Sequence, residues 1–417
     1  MKNLRIGIFI DGTFIPERDG ASTRFANLPR HLSNLGIGIV VFHCYRGWSQ
    51  LDLISREPYP TYFFKPENYY SNLSLIRNLL LKEHIDIIQM NDLETMHRLG
   101  FPLAKDLGVY LIYEALYHSS TLAKQIGPSS KEIALIKRLE HEASRYSDEI
   151  ITFTNEDRLR WMKFSNCKEE RVSIVHFGVN IDSNILPITD REPYLLFLGN
   201  MYFEPNSRAL KRIIYEIYPT VKSQYPKAKC LIIGDVPNSE RELCKKEGLE
   251  LTSEVPDIKP WLYKCKAGLA PIFEGSGVRV KILNYLACGI PVVSTSVAAE
   301  GLNFPALFVE DDIKSFSFLC ANILRQSKSL EQAICDTLKI LKSNYIWEKI
   351  ACESLNVYEK VLTRSQNKRP NNLISLCSLP MWLNEVIRKG RFPEARDLVD
   401  IKYQYGVATE GKVEFYY

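Results

Sequence analysis

The chain has 417 residues, 46% of them hydrophobic and 24% charged, with a formal net charge of +4. That length exceeds one ordinary core and predicts two or three domains. The mild charge argues against a nucleic-acid partner, which a strongly basic domain would serve, and suits anionic small molecules.

Short apolar runs at 4–10, 38–44, 85–91, 109–115, 149–154 and 172–179 predict strands buried on both faces. Helical periodicity separates them at 22–35, 71–83, 93–107, 130–146 and 155–166. This alternation predicts a parallel, doubly wound sheet. Residues 181–193, polar and with two prolines, read as a linker. The alternation then restarts, with strands at 194–200, 228–235, 249–255, 267–273, 291–296 and 307–311. Helices are expected at 206–225, 238–247, 277–288, 313–326, 328–344 and 346–362. The fold class is therefore α/β, two Rossmann-like doubly wound domains, 1–180 and 194–345, facing a central cleft. The extension 365–417 breaks the pattern: a polar linker, one or two short helices carrying Trp382, and a final GKVEFYY that reads as an added strand.

Ten cysteines are scattered singly, without a Cys-x-x-Cys pair, and read as buried reduced thiols rather than disulfides or zinc ligands. The first apolar run stops at Asp11, too short for a signal segment, and no later run is long enough to span a bilayer. A cytoplasmic, non-spanning protein is expected. RLRWMKF (158–164) is either a basic, aromatic helix face for anionic lipid or a solvated helix with Trp161 packed inward.

The chemistry concentrates at 271–302, PIFEGSGVRVKILNYLACGIPVVSTSVAAEGL. A strand ends at Phe273, a turn follows with Gly275 and Gly277, and a helix opens. Glycines admit close backbone approach to a ligand, and a helix N-terminus offers N–H groups and a positive dipole end. Arg279 and Lys281 fall in the expected first turn, where cations oppose the dipole. That placement favours a bound anion, gripped by the Arg fork and the Lys point charge.

This segment resembles the donor-site signature of family-4 glycosyltransferases, close to G-S-G-x-R-x-K-I-L-E-A-x-A-x-G-x-P-V-V-S-T. LLFLGNMYFEPN (195–206), YPKAKCLIIGDVP (225–237), EVPDIKPWLYKCKAGLAPI (254–272) and RLEHEASRYSDEIITFTNEDR (138–158) resemble further stretches of that family. The helix with Trp347 and Tyr358 (346–364) resembles the one that crosses back to the N-terminal domain. The resemblance implies a GT-B fold and a nucleotide-diphosphate-sugar donor, UDP- or GDP-linked, held by Arg279, Lys281 and the backbone of Gly275, Ser276, Gly277 and Val278. The loop carrying Gly20 and Ala21 would close over it, with Ala21 standing where the family has a second glycine. Arg208 is either a further phosphate cation or a solvated helix residue. Val255 and Asp257 lie where the base is contacted, although Asp257 suits a helix N-cap equally.

Besides Ala21, two positions depart from the family. Asn284 replaces the glutamate that accepts from the ribose, and an amide accepts without charge. Glu274 is the nearest acid to the glycine turn, for a sugar hydroxyl or as a plain loop acid. Leu116 replaces the histidine of a Y-D-x-H motif, leaving His118 as a substitute or a structural residue. The resemblance further implies a retaining reaction that needs no metal and no cofactor, and no DxD turn occurs after a strand. Its barrier is charge on the leaving diphosphate, where one fixed donor is worth about 3 kcal/mol. The acceptor is unassigned; loops 43–70 and 113–130 hold Tyr45, Trp48, Tyr59, Tyr62, Tyr69, Tyr70 and Tyr117, suited to sugar stacking or to a core. Rival readings are a nucleotide-sugar 2-epimerase and a non-catalytic GT-B paralogue that binds a partner or glycan.

Overall fold

The computed structural model describes residues 4–126, 129–165, 167–182, 185–252, 258–325, 327–367, 369 and 405–416. It divides into two compact units. One runs to His176 and takes in the chain again from Trp347; the other is Phe177–Ile346.

The first unit holds a nine-stranded sheet. Its strands are β1 (Arg5–Asp11), β2 (Gly38–Cys44), β3 (Thr61–Phe64), β4 (Ile87–Met90), β5 (Tyr110–Glu114), β6 (Glu149–Thr152) and β7 (Val172–Ile174), joined from the far end of the chain by β14 (Tyr405–Thr409) and β15 (Lys412–Tyr416). The order is β15-β14-β3-β2-β1-β4-β5-β6-β7. Strands β1 to β7 pair in parallel, and each predicted apolar run among them forms a strand within a few residues of its expected ends. Strand order reverses between β1 and β4, so the ends of these two strands form the switch point of the sheet.

β3 was not expected. Its four residues are all buried, but Pro60 and Pro66 close beside them break the apolar signal. The hairpin β14–β15 adds to β3 antiparallel, with Gly406 opposite Phe63. A Cβ at Gly406 would lie 2.1 Å from the Phe63 ring, so only glycine lets that ring cross the strand. A row of rings runs across five strands: Phe9–Phe42 (4.7 Å), Phe42–Tyr62 (5.5 Å), Tyr62–Tyr405 (6.1 Å) and Tyr405–Tyr416 (4.8 Å). The expected GKVEFYY strand thus exists, with an unforeseen partner beside it.

The helix Trp347–Leu362 belongs to the first unit. Trp347 and Tyr358 are buried, Trp347 stacks near His31 at 6.4 Å, and the Tyr358 hydroxyl donates to Gln89 Oε1 at 2.7 Å. The end of this helix and the start of the expected polar linker are tied to the first sheet. Arg364 and Lys360 pair with the buried Glu149 at 2.9 and 2.8 Å, and Asn367 N donates to Asp148 at 2.6 Å. Residues 370–404, including the expected short helices and Trp382, lie outside the described residues.

The second unit holds six parallel strands: β8 (Glu192–Leu198), β9 (Lys229–Ile233), β10 (Glu250–Thr252), β11 (Cys265–Ala270), β12 (Val292–Ser294) and β13 (Leu307–Val309), in the order β10-β9-β8-β11-β12-β13. Its switch point lies between β8 and β11. Nine described cysteines are free; Cys335 and Cys352 are exposed on helices, against the expectation of burial, because each lies on the solvent side of its helix. No helix among the described residues is long and apolar enough to cross a membrane.

Candidate active site

The site is built at the switch point of the second sheet. β8 ends at Leu198, whose N–H donates to the buried Tyr285 hydroxyl at 2.7 Å. Tyr285 lies on the helix Val280–Ala287 and packs against Gly268 of β11, where a Cβ would sit 2.4 Å from the ring. These contacts fix the helix start beside the end of β8. Behind it, Gly234 has φ +125, and a Cβ there would strike Gly199 O at 2.1 Å, so the turns after β8 and β9 touch backbone to backbone.

Lys281 is the second residue of that helix. Its ammonium donates to Asn206 Oδ1 at 2.8 Å and lies 4.2 Å over the buried Phe197 ring. No carboxylate pairs with Lys281 among the described residues. Desolvation, and then the charge of Arg279, lower its pKa to about 7. Asn206 is held in turn: its Nδ2 donates to Asn200 O at 2.9 Å, on a helix (Glu204–Arg212) that opens with Glu204 and Pro205.

The turn before the helix is strained as only glycine permits, with φ +126 at Gly275 and +80 at Gly277. Arg279 is the N-cap rather than a first-turn residue, because the helix starts three residues later than its apolar pattern predicts. Its guanidinium folds back on the turn, donating to Ser276 O and Gly277 O at 2.8 Å each and to Glu274 O at 3.4 Å. Arg208 pairs with Glu204 at 2.8 Å and with Glu274 at 3.2 Å, joining two of the expected site residues to each other. Ser276 is buried and Val278 half-buried. Asn284 lies one turn beyond Lys281, partly exposed. Val255 and Asp257 lie outside the described residues.

The remaining expected residues belong to the first unit. Gly20 and Ala21 open the helix Gly20–Asn34 rather than sitting in a loop. Asp19 caps that helix, accepting from Ser22 N at 2.8 Å, while Ser22 Oγ accepts from Asp19 N. His118 is buried; its Nδ1 is 2.9 Å from Thr121 Oγ1 and 3.6 Å from Glu140, and its ring stands edge-on to Trp161 at 5.2 Å. Trp161 is itself buried against Tyr113, so the inward reading of that helix holds, while Leu159 and Phe164 are the exposed apolar residues. Of the acceptor-loop aromatics, Tyr59, Tyr62, Tyr69 and Tyr70 are core; Tyr45, Trp48 and Tyr117 remain partly exposed.

Two groupings were missed. Arg24 and Glu114, both buried, form an ion pair at 2.6 Å; Gln89 donates to the same carboxylate at 3.2 Å, and Arg24 donates to His176 O at 2.9 Å. Glu114 is thus a structural anchor of the strand end. Asp11 and Arg46 form a second pair. Neither has a sequence signal, since the partners lie 90 and 35 residues apart.

Two doubly wound sheets, parallel apart from the terminal hairpin on the first, with a cation and glycine turn at the switch point of the second, have the make-up of a GT-B fold. The model of Glycosyltransferase Family 4 matches residues 18–183, and that of Glycosyl transferases group 1 matches 192–326. The chain belongs to this glycosyltransferase family. An uncharacterized 44.6 kDa protein in the cps region of Klebsiella pneumoniae is 24% identical over 170 residues, 37% of this chain; the chain spans 43% of the length of that curated relative. Among solved structures, sucrose-phosphate synthase of Thermosynechococcus elongatus superposes with a TM-score of 0.68 at 14% identity, over 87% of this chain and 100% of the other. HepE of Anabaena, in complex with UDP, superposes at 0.66 with 12% identity, over 85% and 100%.

Proposed function

We propose that the chain transfers a sugar from a nucleoside-diphosphate sugar, most simply a UDP-sugar, to an acceptor, with retention and without a metal ion. The observation that carries this is Lys281: a desolvated ammonium beside Arg279, bonded to an amide and to no described carboxylate. A desolvated cation next to another cation is unfavourable until an anion arrives. A diphosphate at the mouth of the 275–279 turn supplies it, and the same charges then stabilise the leaving group as its bond to the sugar breaks. HepE, a structural neighbour, binds UDP-glucose, which favours UDP among the bases.

Arg279 acts chiefly by holding the turn open for backbone N–H groups. Asn284 takes the ribose side, one helical turn on. The test is a thermal-shift panel of UDP, GDP, ADP, CDP and dTDP and their sugar conjugates, with and without magnesium. A ligand at a hundred times its Kd stabilises by about 2.7 kcal/mol. A shift with the uridine series, equal in both magnesium arms, supports the reading; no shift with any nucleotide sinks it. Product analysis without acceptor separates transfer from epimerisation.

A further inference from the structure

The switch point of the first sheet, between β1 and β4, carries a second arrangement that the donor chemistry does not use. Asp11 ends β1, and Arg46 follows the end of the neighbouring β2 by two residues. Arg46 Nε and Nη2 donate to Asp11 Oδ1 and Oδ2 at 2.8 and 3.0 Å, a two-pronged pair. The Tyr70 hydroxyl donates to the same carboxylate. The Asp11 side chain is fully buried, while Arg46 keeps 22% of its side chain exposed.

A guanidinium has five N–H donors in a plane, and a side-on pair uses two of them. Among the described residues Arg46 hydrogen-bonds only to Asp11, so Nη1 and the outer hydrogen of Nη2 remain as a second fork. Its direction is fixed by the buried carboxylate. Tyr45 and Trp48, both partly exposed, stand on either side along the chain, and Gly47 between Arg46 and Trp48 has φ +82. Tyr45 is anchored by its N–H to Phe64 O at 2.7 Å. Thr13, two residues past Asp11, keeps a buried hydroxyl with no hydrogen-bond partner among the described residues. The nearby Glu94 is compensated by Arg98 at 2.8 Å.

We propose that Arg46, oriented by Asp11, recognises an anionic group on a saccharide acceptor, with Tyr45 and Trp48 bordering the sugar. The fork matches the two oxygens of a carboxylate or phosphate, and charged acceptors form the stronger hydrogen bonds. This rests on the sugar-transfer reading above and names the acceptor class for it.

The test titrates the full chain, by protein-observed NMR, with D-glucuronate, glucose 6-phosphate and glucose. At least one anion binds about tenfold or more tightly than glucose, the effect of one charge-assisted contact; which one does so tells carboxylate from phosphate. Arg46→Gln alone leaves the buried Asp11 carboxylate without its counter-charge, so the diagnostic variant is Asp11→Asn with Arg46→Gln. It binds all three sugars alike and still binds UDP-glucose, whereas Arg279→Ala keeps the anion preference. Equal binding or no binding of the three probes by the parent chain overturns the proposal. So does a preference that survives in the double variant or disappears with Arg279→Ala. Failure of the donor reading appears separately, as loss of UDP-glucose binding by the parent chain.

Discussion

Replacing Lys281 by methionine tests the donor site through a proton. In the protein alone desolvation and Arg279 lower this lysine to about 7, so at pH 8 it is mostly the neutral amine. A bound diphosphate favours the charged form and returns it towards the ordinary lysine range. The diphosphate diester of a UDP-sugar has no proton to exchange near pH 8, so binding there takes up most of one proton on Lys281. Affinity then falls about tenfold per pH unit between pH 7.5 and 9.5. Calorimetry of UDP-glucose binding in two buffers of different ionisation enthalpy reads the proton directly. Lys281→Met abolishes the uptake, flattens the pH dependence, and weakens binding at pH 7 more than tenfold, from loss of a charged hydrogen bond of about 1.5–3 kcal/mol. The free protein responds in the opposite sense. Because the folded pKa is lowered, the unfolded chain holds more protons above pH 7. Stability therefore rises with pH from about 7 towards the ordinary lysine pKa, by up to about 1.4 kcal/mol per unit. The variant loses that slope and is the more stable at neutral pH. UDP-glucose binding in the parent chain without proton uptake and with constant affinity from pH 7 to 9.5 would refute the placement of Lys281 at the diphosphate.

Three further outcomes are expected. Arg279→Ala lowers kcat/KM at least tenfold while the circular-dichroism melt stays cooperative, and Arg279→Lys does not restore it, since one ammonium cannot reach the three loop carbonyls. Gly275→Ala, whose Cβ would meet Arg279 Nη2 at 2.2 Å at φ +126, loses UDP-glucose binding in the thermal-shift assay with only a modest drop in Tm of the free protein. Glu114→Gln leaves Arg24 buried without its counter-charge and costs about 3–5 kcal/mol in urea unfolding; Arg24→Met with Glu114→Leu recovers most of it.

The strands with runs of Ile, Val and Leu were legible because a parallel sheet covered on both faces needs apolar residues at every position. TYFF of β3 was not, since prolines on either side are the stronger local signal. β14 was hidden because a strand added antiparallel at an edge is specified by its distant partner, Phe63, and by Gly406 yielding to it. Within the site, the G-S-G-x-R-x-K spacing announced Lys281 and the glycine turn. It did not announce that Arg279 turns back onto its own loop, or that Arg208 and Glu274 pair, since both depend on where side chains meet. His118 and the row of tyrosines were ambiguous for one reason: aromatic and imidazole rings serve a core as readily as a ligand, and burial separated them.

The returning helix and the final hairpin have a consequence for biosynthesis. The second unit is contiguous, Phe177 to Ile346, and its six strands are all available once that stretch has left the ribosome. The first unit is not: the far edge of its sheet, β3, waits for strands that begin at Tyr405. The earliest segment made is therefore the last to be completed, and an open, aromatic strand edge stands exposed for most of translation. A chain cut short after Leu362 would carry every residue of the candidate donor site and yet leave that edge uncovered, turning a truncation far from the chemistry into a defect of solubility.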